Sequence, residues 1–163
     1  MATSSRRGSR GTMPPAMRPA TTGDVPAIEA LLRSADLPIE GLAAIVARRP
    51  DDVLVAVQGG TIVGAAALEV AGDNALLRSV VVRADGRSTG VGRELVTRLL
   101  LEADRRQYEG VYLLTTTAGD WFPRFGFTRV ERKSVPRGIA ETWEFRTGCA
   151  DTAVAMARRS RRG

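Results

Sequence analysis

Residues 79–103, SVVVRADGRSTGVGRELVTRLLLEA, pass from an apolar segment through a glycine-containing turn into a long amphipathic segment. The apolar side chains of the second half repeat at four-residue spacing, at Val91, Leu95, Leu99 and Ala103. This spacing places them on one face of a helix, so a long helix with one buried face is predicted. The run of valines at the start of the stretch favours a strand in front of that helix.

The turn between the strand and the helix is predicted to bind an anion through its backbone. The first amides of a helix have no intrahelical acceptor and lie at the positive end of its dipole, so one pyrophosphate can satisfy several of them. Ser88, Gly90 and Gly92 carry no bulky side chain, and the glycines allow a phosphate to approach closely. Arg87 and Arg93 are placed to add positive charge.

Two common phosphate-binding folds do not account for this turn. A dinucleotide-binding turn needs a third glycine and an acidic residue at the end of the next strand. Here Leu95 stands at the glycine position, and the next strand ends in Thr-Thr-Thr at residues 115–117. A triphosphate-binding loop needs Gly-Lys followed by Ser or Thr, and the only lysine of the chain is Lys133.

Strands are predicted on both sides of the turn and helix. Residues 53–57 and 62–70 flank a Gln-Gly-Gly-Thr turn, and a second turn at 71–74 leads into the run 75–82, so three antiparallel strands are predicted. The apolar run at 111–116 follows the helix and completes a strand–helix–strand crossover.

Shorter elements are predicted at both ends of the chain. Helices are expected after Asp24, around Leu42 to Val46 and, as a short aromatic helix, around Trp121. The further strands are expected at residues 18–20, 127–132, 142–145 and 152–156. The predicted fold class is α/β (α+β): one domain with a mixed, mostly antiparallel central sheet flanked by helices.

The net charge of +6 is concentrated near the ends of the chain. Seven arginines lie there, namely Arg6, Arg7, Arg10, Arg158, Arg159, Arg161 and Arg162, and without them the net charge is −1. We therefore expect a flexible leader at 1–16, a domain at 17–157 and a basic tail at 158–163. Nucleic-acid binding is disfavoured, because no aromatic residue interleaves with these arginines and the body is nearly neutral.

The absence of histidine excludes several kinds of site. It removes His-containing catalytic triads and His-containing zinc sites, and no metal is predicted. Cys149 is the only cysteine, no secretory signal is evident, and charged residues interrupt every apolar run, so we expect a cytoplasmic protein with no membrane contact.

The turn and its surroundings resemble the GCN5-related N-acetyltransferases (GNAT), whose signature after a central strand is Arg/Gln-x-x-Gly-x-Gly/Ala. That signature is complete at Arg87–Gly92, and the resemblance extends over about residues 17–156, including residues 79–82 and Arg-Phe-Gly-Phe at 124–127. Within the family, the chain is most similar to small acetyltransferases associated with arsenic resistance. That narrower likeness rests on residues 113–118, 144–145 and 153–156.

The resemblance implies that acetyl-CoA is the co-substrate. The pantetheine arm would pair with the strand at residues 80–82, the thioester would lie where two central strands diverge, and an N–H near Val80 would stabilise the oxyanion. The implied cofactor-binding residues are Val80, Val81, Val82, Arg87, Ser88, Thr89, Gly90, Val91, Gly92, Arg93, Thr115 and Phe122.

The resemblance also implies direct attack of an amine on the thioester. Glu69 and Glu144 are the candidate proton acceptors, acting directly or through water. Many family members carry a tyrosine as general acid at the position of Phe122, so here the thiolate would leave unassisted or take its proton from water or from a residue such as Thr117.

The acceptor is expected to be a small amino acid or an amino-acid-like toxin. Arg78, Arg137 and Arg146 are the candidates for binding its acidic group. Its pocket is expected to draw on residues 36–50, the hairpin and residues 134–149. A non-catalytic acyl-CoA sensor is the alternative function, and exposed strand edges are compatible with a homodimer.

Overall fold

The computed structural model describes residues 14–87, 89–148 and 151–160. Within these residues, seven strands form one sheet in the order β1-β2-β3-β4-β5-β7-β6, and every neighbouring pair is antiparallel except β4 and β5. The strands are β1 (Ala16–Pro19), β2 (Val53–Gln58), β3 (Thr61–Ala71), β4 (Asn74–Val82), β5 (Gly110–Thr115), β6 (Thr128–Val130) and β7 (Val154–Arg159). The predicted fold class, a mixed and mostly antiparallel sheet flanked by helices, is confirmed.

In the part of the chain that the structure describes, four α-helices flank the sheet: α1 (Val25–Ser34), α2 (Leu42–Arg48), α3 (Val91–Arg105) and the single turn α4 (Arg137–Ala140). The predicted aromatic helix near Trp121 is a 3₁₀ turn at Phe122–Phe125. Within the described ranges, no helix combines the length and the apolar character that a membrane crossing requires.

The three antiparallel strands β2, β3 and β4 form as predicted because their turns carry glycine where the backbone is left-handed. Gly59 and Gly60, between β2 and β3, have φ of 58° and 78°. Positive φ at both central residues is what a tight turn of the type I′ class needs, and its twist matches that of the strands.

The sheet separates two apolar layers. The buried face of α3, including Leu95 and Leu99, packs against one side of the sheet, and α1 and α2 pack against the other through residues such as Ile28 and Leu42. Close contact of α3 with β3 depends on Gly64, because a Cβ there would lie 3.1 Å from Val91 Cγ1. This close packing of α3 on β3 fixes the position of Val91, the first residue of α3.

Strands β4 and β5 are paired only at their first residues. Their parallel ladder consists of Ala75 opposite Val111 and Leu76 opposite Tyr112. Beyond this point β5 pairs with β7 as far as Thr115, and β4 pairs only with β3. The two central strands therefore diverge, and the gap between them opens toward the start of α3.

A bulge in β4 lies at the beginning of this gap. Arg78 pairs with Ala67 and Val81 pairs with Ala65, so Ser79 and Val80 together face one residue of β3. Ser79 has a φ of 59°, which is uncommon for a residue other than glycine. The extra residue changes the direction in which the following backbone groups point.

Several predicted segments and boundaries differ from the structure; β1, for example, begins at Ala16, within the predicted leader 1–16. The strand predicted at 142–145 is helical: a π-type turn at Glu144–Gly148 follows α4, and Thr142 Oγ1 donates to Ile139 O at 2.6 Å. The segment is held outside the sheet by its tertiary contacts: the buried Glu144 pairs with Arg78 of β4, and Gly138 in the preceding α4 lies directly against the backbone of Ala71.

The last strand also extends past the predicted boundary at residue 157. Arg158 and Arg159 belong to β7, where they pair with Val111 and Gly110 of β5. Arg158 is buried because its guanidinium reaches Asp104 of α3 at 3.0 and 3.1 Å and donates to Phe125 O. It is therefore part of the folded domain, whereas Arg6, Arg7, Arg10, Arg161 and Arg162 lie outside the described residues.

Candidate active site

The gap between β4 and β5 exposes the edge of β4. In the described residues, β4 has no strand paired on this side beyond Leu76. Val80 and Val82 are half-buried on the α3 side of the sheet, and Val81 is buried on the opposite side. An exposed strand edge can accept an extended ligand as an added strand, because its N–H and C=O groups are regularly spaced.

The gap leads to the first turn of α3. Gly90, with a φ of 89°, precedes Val91, the first residue of the helix. The first amides of α3 have no acceptor within the helix, as at any helix N-terminus. A Cβ on Gly92 would lie 3.3 Å from Val82 Cγ2, so a larger residue there would crowd the end of β4.

The side chains of this turn support its backbone. Thr89 Oγ1 donates to Gly86 O, and Arg87 Nε donates to Val82 O at 3.3 Å. Arg93 is exposed on the first turn of the helix. Ser88 lies outside the described residues. The described part of the turn thus combines helix amides, a left-handed glycine and two arginines, which together suit an anionic ligand.

An aromatic cluster stands beside the turn on the α3 side of the sheet. Trp121 lies next to Gly92, 3.7 Å from the position that a Cβ would take. Phe122 is only 6% exposed and packs edge-to-face against Trp121 and Phe127, with ring centroids 5.0 and 5.8 Å apart. No hydroxyl is present at the Phe122 position. Thr115 Oγ1 accepts from Ala118 N–H at 2.9 Å and so closes the turn after β5.

Arg78, on β4 just before the bulge, joins the two candidate proton acceptors. Its Nη1 lies 2.9 Å from Glu69 Oε1, and its Nε lies 3.3 Å from Glu144 Oε2. It also donates to Glu40 O and to Ser79 Oγ. The guanidinium is 1% exposed and its charge is balanced by carboxylates of its own chain; its role in substrate binding stays a prediction.

The two glutamates differ in their access to solvent. Glu69 is 26% exposed and Glu144 is 6% exposed. Glu69 lines a cavity of about 250 Å³ between α2, β3 and Trp143, and Arg78 forms part of its wall. Of the two carboxylates, Glu69 is therefore the one that a ligand in this cavity can reach.

The cavity draws on the three regions that were expected to form an acceptor pocket. Six residues between 41 and 52, residues 68–70 and residue 143 contribute to its wall. Arg48 and Trp143 in that wall were not singled out from the sequence, because neither belongs to a motif and Trp143 lies in a segment with no clear periodicity.

The other predicted substrate-binding arginines lie outside this cavity. Arg137 is 90% exposed and pairs with Glu141 at 3.2 Å, and Arg146 is exposed on the π-type turn. Neither contributes to the cavity wall. Cys149 lies outside the described residues. All catalytic and binding roles assigned from the sequence stay predictions.

Known proteins share both sequence and fold features with this chain. The sequence model of the family described as "Acetyltransferase (GNAT) domain" matches residues 49–129. Comparison with curated protein sequences finds no significant match.

Several solved structures share the fold. N-acetylglutamate synthase from Neisseria gonorrhoeae, in complex with coenzyme A and N-acetyl-glutamate, has a TM-score of 0.75 and 20% identity over 90% of this chain and 35% of that chain. This chain therefore spans about a third of the length of that synthase. Rv2747 from Mycobacterium tuberculosis, in complex with CoA and a second ligand, has a TM-score of 0.70 and 27% identity over 89% of this chain and 99% of that one.

A third similar structure is the ribosomal-protein-S18-alanine N-acetyltransferase from Escherichia coli, with a TM-score of 0.67 and 22% identity over 91% of this chain and 96% of that one. At this identity the likeness concerns the fold. The family sequence model for the acetyltransferase (GNAT) domain thus matches just under half of this chain, and the likeness of fold to these solved structures extends over about nine-tenths of it.

Proposed function

We propose that this chain is an acetyl-CoA-dependent N-acetyltransferase that acts on the amino group of a small amino acid or an amino-acid-like toxin. The observation that carries the proposal is the gap between β4 and β5, which ends at the glycine-containing first turn of α3. An extended pantetheine arm suits the free edge of β4, and a pyrophosphate suits the helix amides. Structures with the same fold contain coenzyme A.

In this proposal the amine nitrogen attacks the carbonyl carbon of the thioester. The new N–C bond forms, the C–S bond breaks, and the thiolate of coenzyme A leaves. An N–H near Val80 stabilises the oxyanion, and Glu69 receives the amine proton directly or through water. Because Phe122 has no hydroxyl, the thiolate takes its proton from water.

Binding is tested by thermal unfolding with increasing acetyl-CoA. A ligand that binds only the folded state raises Tm, by the equivalent of about 2.7 kcal/mol at a hundred times Kd. We expect a concentration-dependent rise with acetyl-CoA and with coenzyme A, and none with adenosine. An unchanged Tm at millimolar acetyl-CoA would contradict the proposal.

A second candidate function is a non-catalytic acyl-CoA sensor. The buried Phe122, which leaves no phenol at the position of the family's general acid, favours it. Free-thiol release from acetyl-CoA separates the two functions: a transferase releases thiol in proportion to added amine, and a sensor binds acetyl-CoA without amine-dependent release.

The acceptor panel should include more than the common amino acids. The resemblance to arsenic-resistance acetyltransferases, which rests on short motifs, makes glutamate-like phosphinates and arsinates sensible additions. Acetylation of these compounds in preference to amino acids would support that narrower assignment.

A further inference from the structure

The charges in the wall of the 250 Å³ cavity are balanced except for one. Arg49 pairs with Asp52 at 3.3 Å, and Arg78 is held between two glutamates. Arg48, the last residue of α2, is exposed to the cavity and has no hydrogen-bond or ion-pair partner among the described residues. The Arg48 guanidinium is therefore available to pair with an anionic group of a ligand in this cavity.

The same wall contains unusually exposed apolar side chains. In the described residues, the large apolar side chains with high exposure are Val70, Leu101 and Trp143. Two of them, Val70 at 38% and Trp143 at 37%, line this cavity. Exposed apolar groups that converge on one concave site commonly mark a place where a ligand covers them.

Glu69 supplies the third recognition element. One of its oxygens accepts from Arg78, and a quarter of the side chain remains open to the cavity. A carboxylate in this position can accept hydrogen bonds from an ammonium group or take a proton from it. The cavity thus presents a cation, an anion and an apolar surface to the same ligand.

The size of the cavity suits a small ligand. Its volume of about 250 Å³ is below the about 300–1,000 Å³ that is usual for sites of larger organic ligands.

We propose that the acetyl acceptor is a free α-amino acid with an apolar or aromatic side chain. Its carboxylate binds Arg48, its amino group faces Glu69, and its side chain packs against Trp143 and Val70. This assignment rests on the proposed acetyltransferase function. The amino group enters the reaction neutral, as –NH₂, and its nitrogen forms the amide bond to the acetyl carbon. The amide keeps one of the two N–H protons, and the other passes to Glu69 as the thiolate leaves.

The test compares amino acids with the amines that lack only the carboxylate. Thiol release from acetyl-CoA is measured with L-leucine and 3-methylbutylamine and with L-phenylalanine and 2-phenylethylamine, at equal concentrations of the free amine. We expect kcat/KM to be at least tenfold higher for each amino acid. Arg48→Ala should raise KM for the amino acids at least tenfold, leave the amines unchanged, and so remove the preference.

Three variants serve as controls. Arg33→Ala changes another exposed arginine, on α1, and should keep the preference. Arg48→Lys keeps a positive charge and should retain part of it. Trp143→Ala should lower kcat/KM for leucine and phenylalanine more than for glycine, because only the larger side chains reach the indole.

The results of these experiments distinguish a failure of this acceptor assignment from a failure of the proposed acetyltransferase function. If acetyl-CoA neither raises Tm nor releases thiol with any amine, both are overturned. If transfer occurs but the decarboxylated amines react as well as the amino acids, or if Arg48→Ala slows both equally, acetyl transfer stands and this acceptor assignment is overturned.

Discussion

Arg78 shows how the role of a single residue depends on its burial. An arginine near a predicted site is a reasonable candidate for binding an acidic substrate, and the sequence does not indicate whether the side chain reaches solvent. In the fold, its guanidinium is enclosed by Glu69, Glu144 and the carbonyl of Glu40. It therefore orients both carboxylates and connects β4 to the segments that cover it.

We expect Arg78→Met to lower the free energy of unfolding by about 3–5 kcal/mol, because it leaves the buried Glu144 without this cation. The double variant Arg78→Met/Glu144→Gln should recover part of the loss, since the unbalanced buried charge is removed. Urea unfolding at neutral pH measures both. A loss under about 1 kcal/mol for the single variant would show that the cluster is not needed for stability.

At the scale of elements, the junction between β1 and α1 depends on Asp24. Its carboxylate accepts two bonds from Arg18, at 2.6 and 3.1 Å, and one from Thr21 N–H at 2.8 Å. The Arg18 guanidinium, with help from Thr21, lowers the pKa of Asp24 to about 2. Asp24 is the N-cap residue of α1 but makes no side-chain capping bond to it, and its carboxylate links the strand to the helix start through Arg18.

This lowered pKa has a defined consequence for acid stability. The stabilisation is present above the unfolded-state pKa near 3.8 and is lost as pH falls toward 2. We expect Asp24→Asn to be less stable than the parent by about 1 kcal/mol at pH 6, a small value because Arg18 is partly exposed. The difference should shrink at pH 3 in urea titrations. A difference independent of pH would contradict this account.

The first turn of α3 allows a comparison of two similar glycines. Gly90 and Gly60 have φ of 89° and 78°, and at neither residue does another atom lie within 4 Å of the position that a Cβ would take. Alanine at either position should cost about 1–2 kcal/mol from the left-handed backbone alone. Only Gly90→Ala should also weaken acetyl-CoA binding, by about tenfold, because it disturbs the amides at the start of the helix.

Calorimetric titration with acetyl-CoA and urea unfolding measure the two effects separately. Gly60→Ala is the control, because it introduces the same kind of strain in the turn between β2 and β3. Equal affinity in the two variants would indicate that the start of α3 does not hold the cofactor.

At the scale of the whole molecule, the C-terminal strand β7 joins the edge strand β6 to the rest of the sheet. β7 lies between β5 and β6, and Arg158 connects it to α3 through Asp104. We expect removal of residues 158–163 to lower the free energy of unfolding by about 2–4 kcal/mol, through loss of this buried ion pair and the last ladder pairs.

The matched control is a chain that ends at Ser160, which keeps all of β7. It should unfold within about 0.5 kcal/mol of the full chain in urea. Equal stability of the two shortened chains would place the domain boundary at residue 157, as predicted from the sequence.

Features that depend on neighbouring residues were predictable. The helix α3, the two hairpins and the crossover to β5 each follow from spacing or turn composition within a few residues, and the structure contains all of them. The segment 142–145 was predicted wrongly, because its short alternating pattern is equally compatible with a helical turn, and contacts such as Glu144 with Arg78 of β4 stabilise that turn.

The sequence by itself determined the order of the elements and the glycine-containing turn at the start of α3, because local spacing and backbone freedom decide both. Only the tertiary structure decided which charges are neutralised and which are available. Arg78 and Arg158 are buried against Glu144 and Asp104, which are distant in sequence, and Arg48 is left open to a cavity. Burial and ion pairing depend on contacts between distant segments, and these contacts exist only once the sheet has assembled.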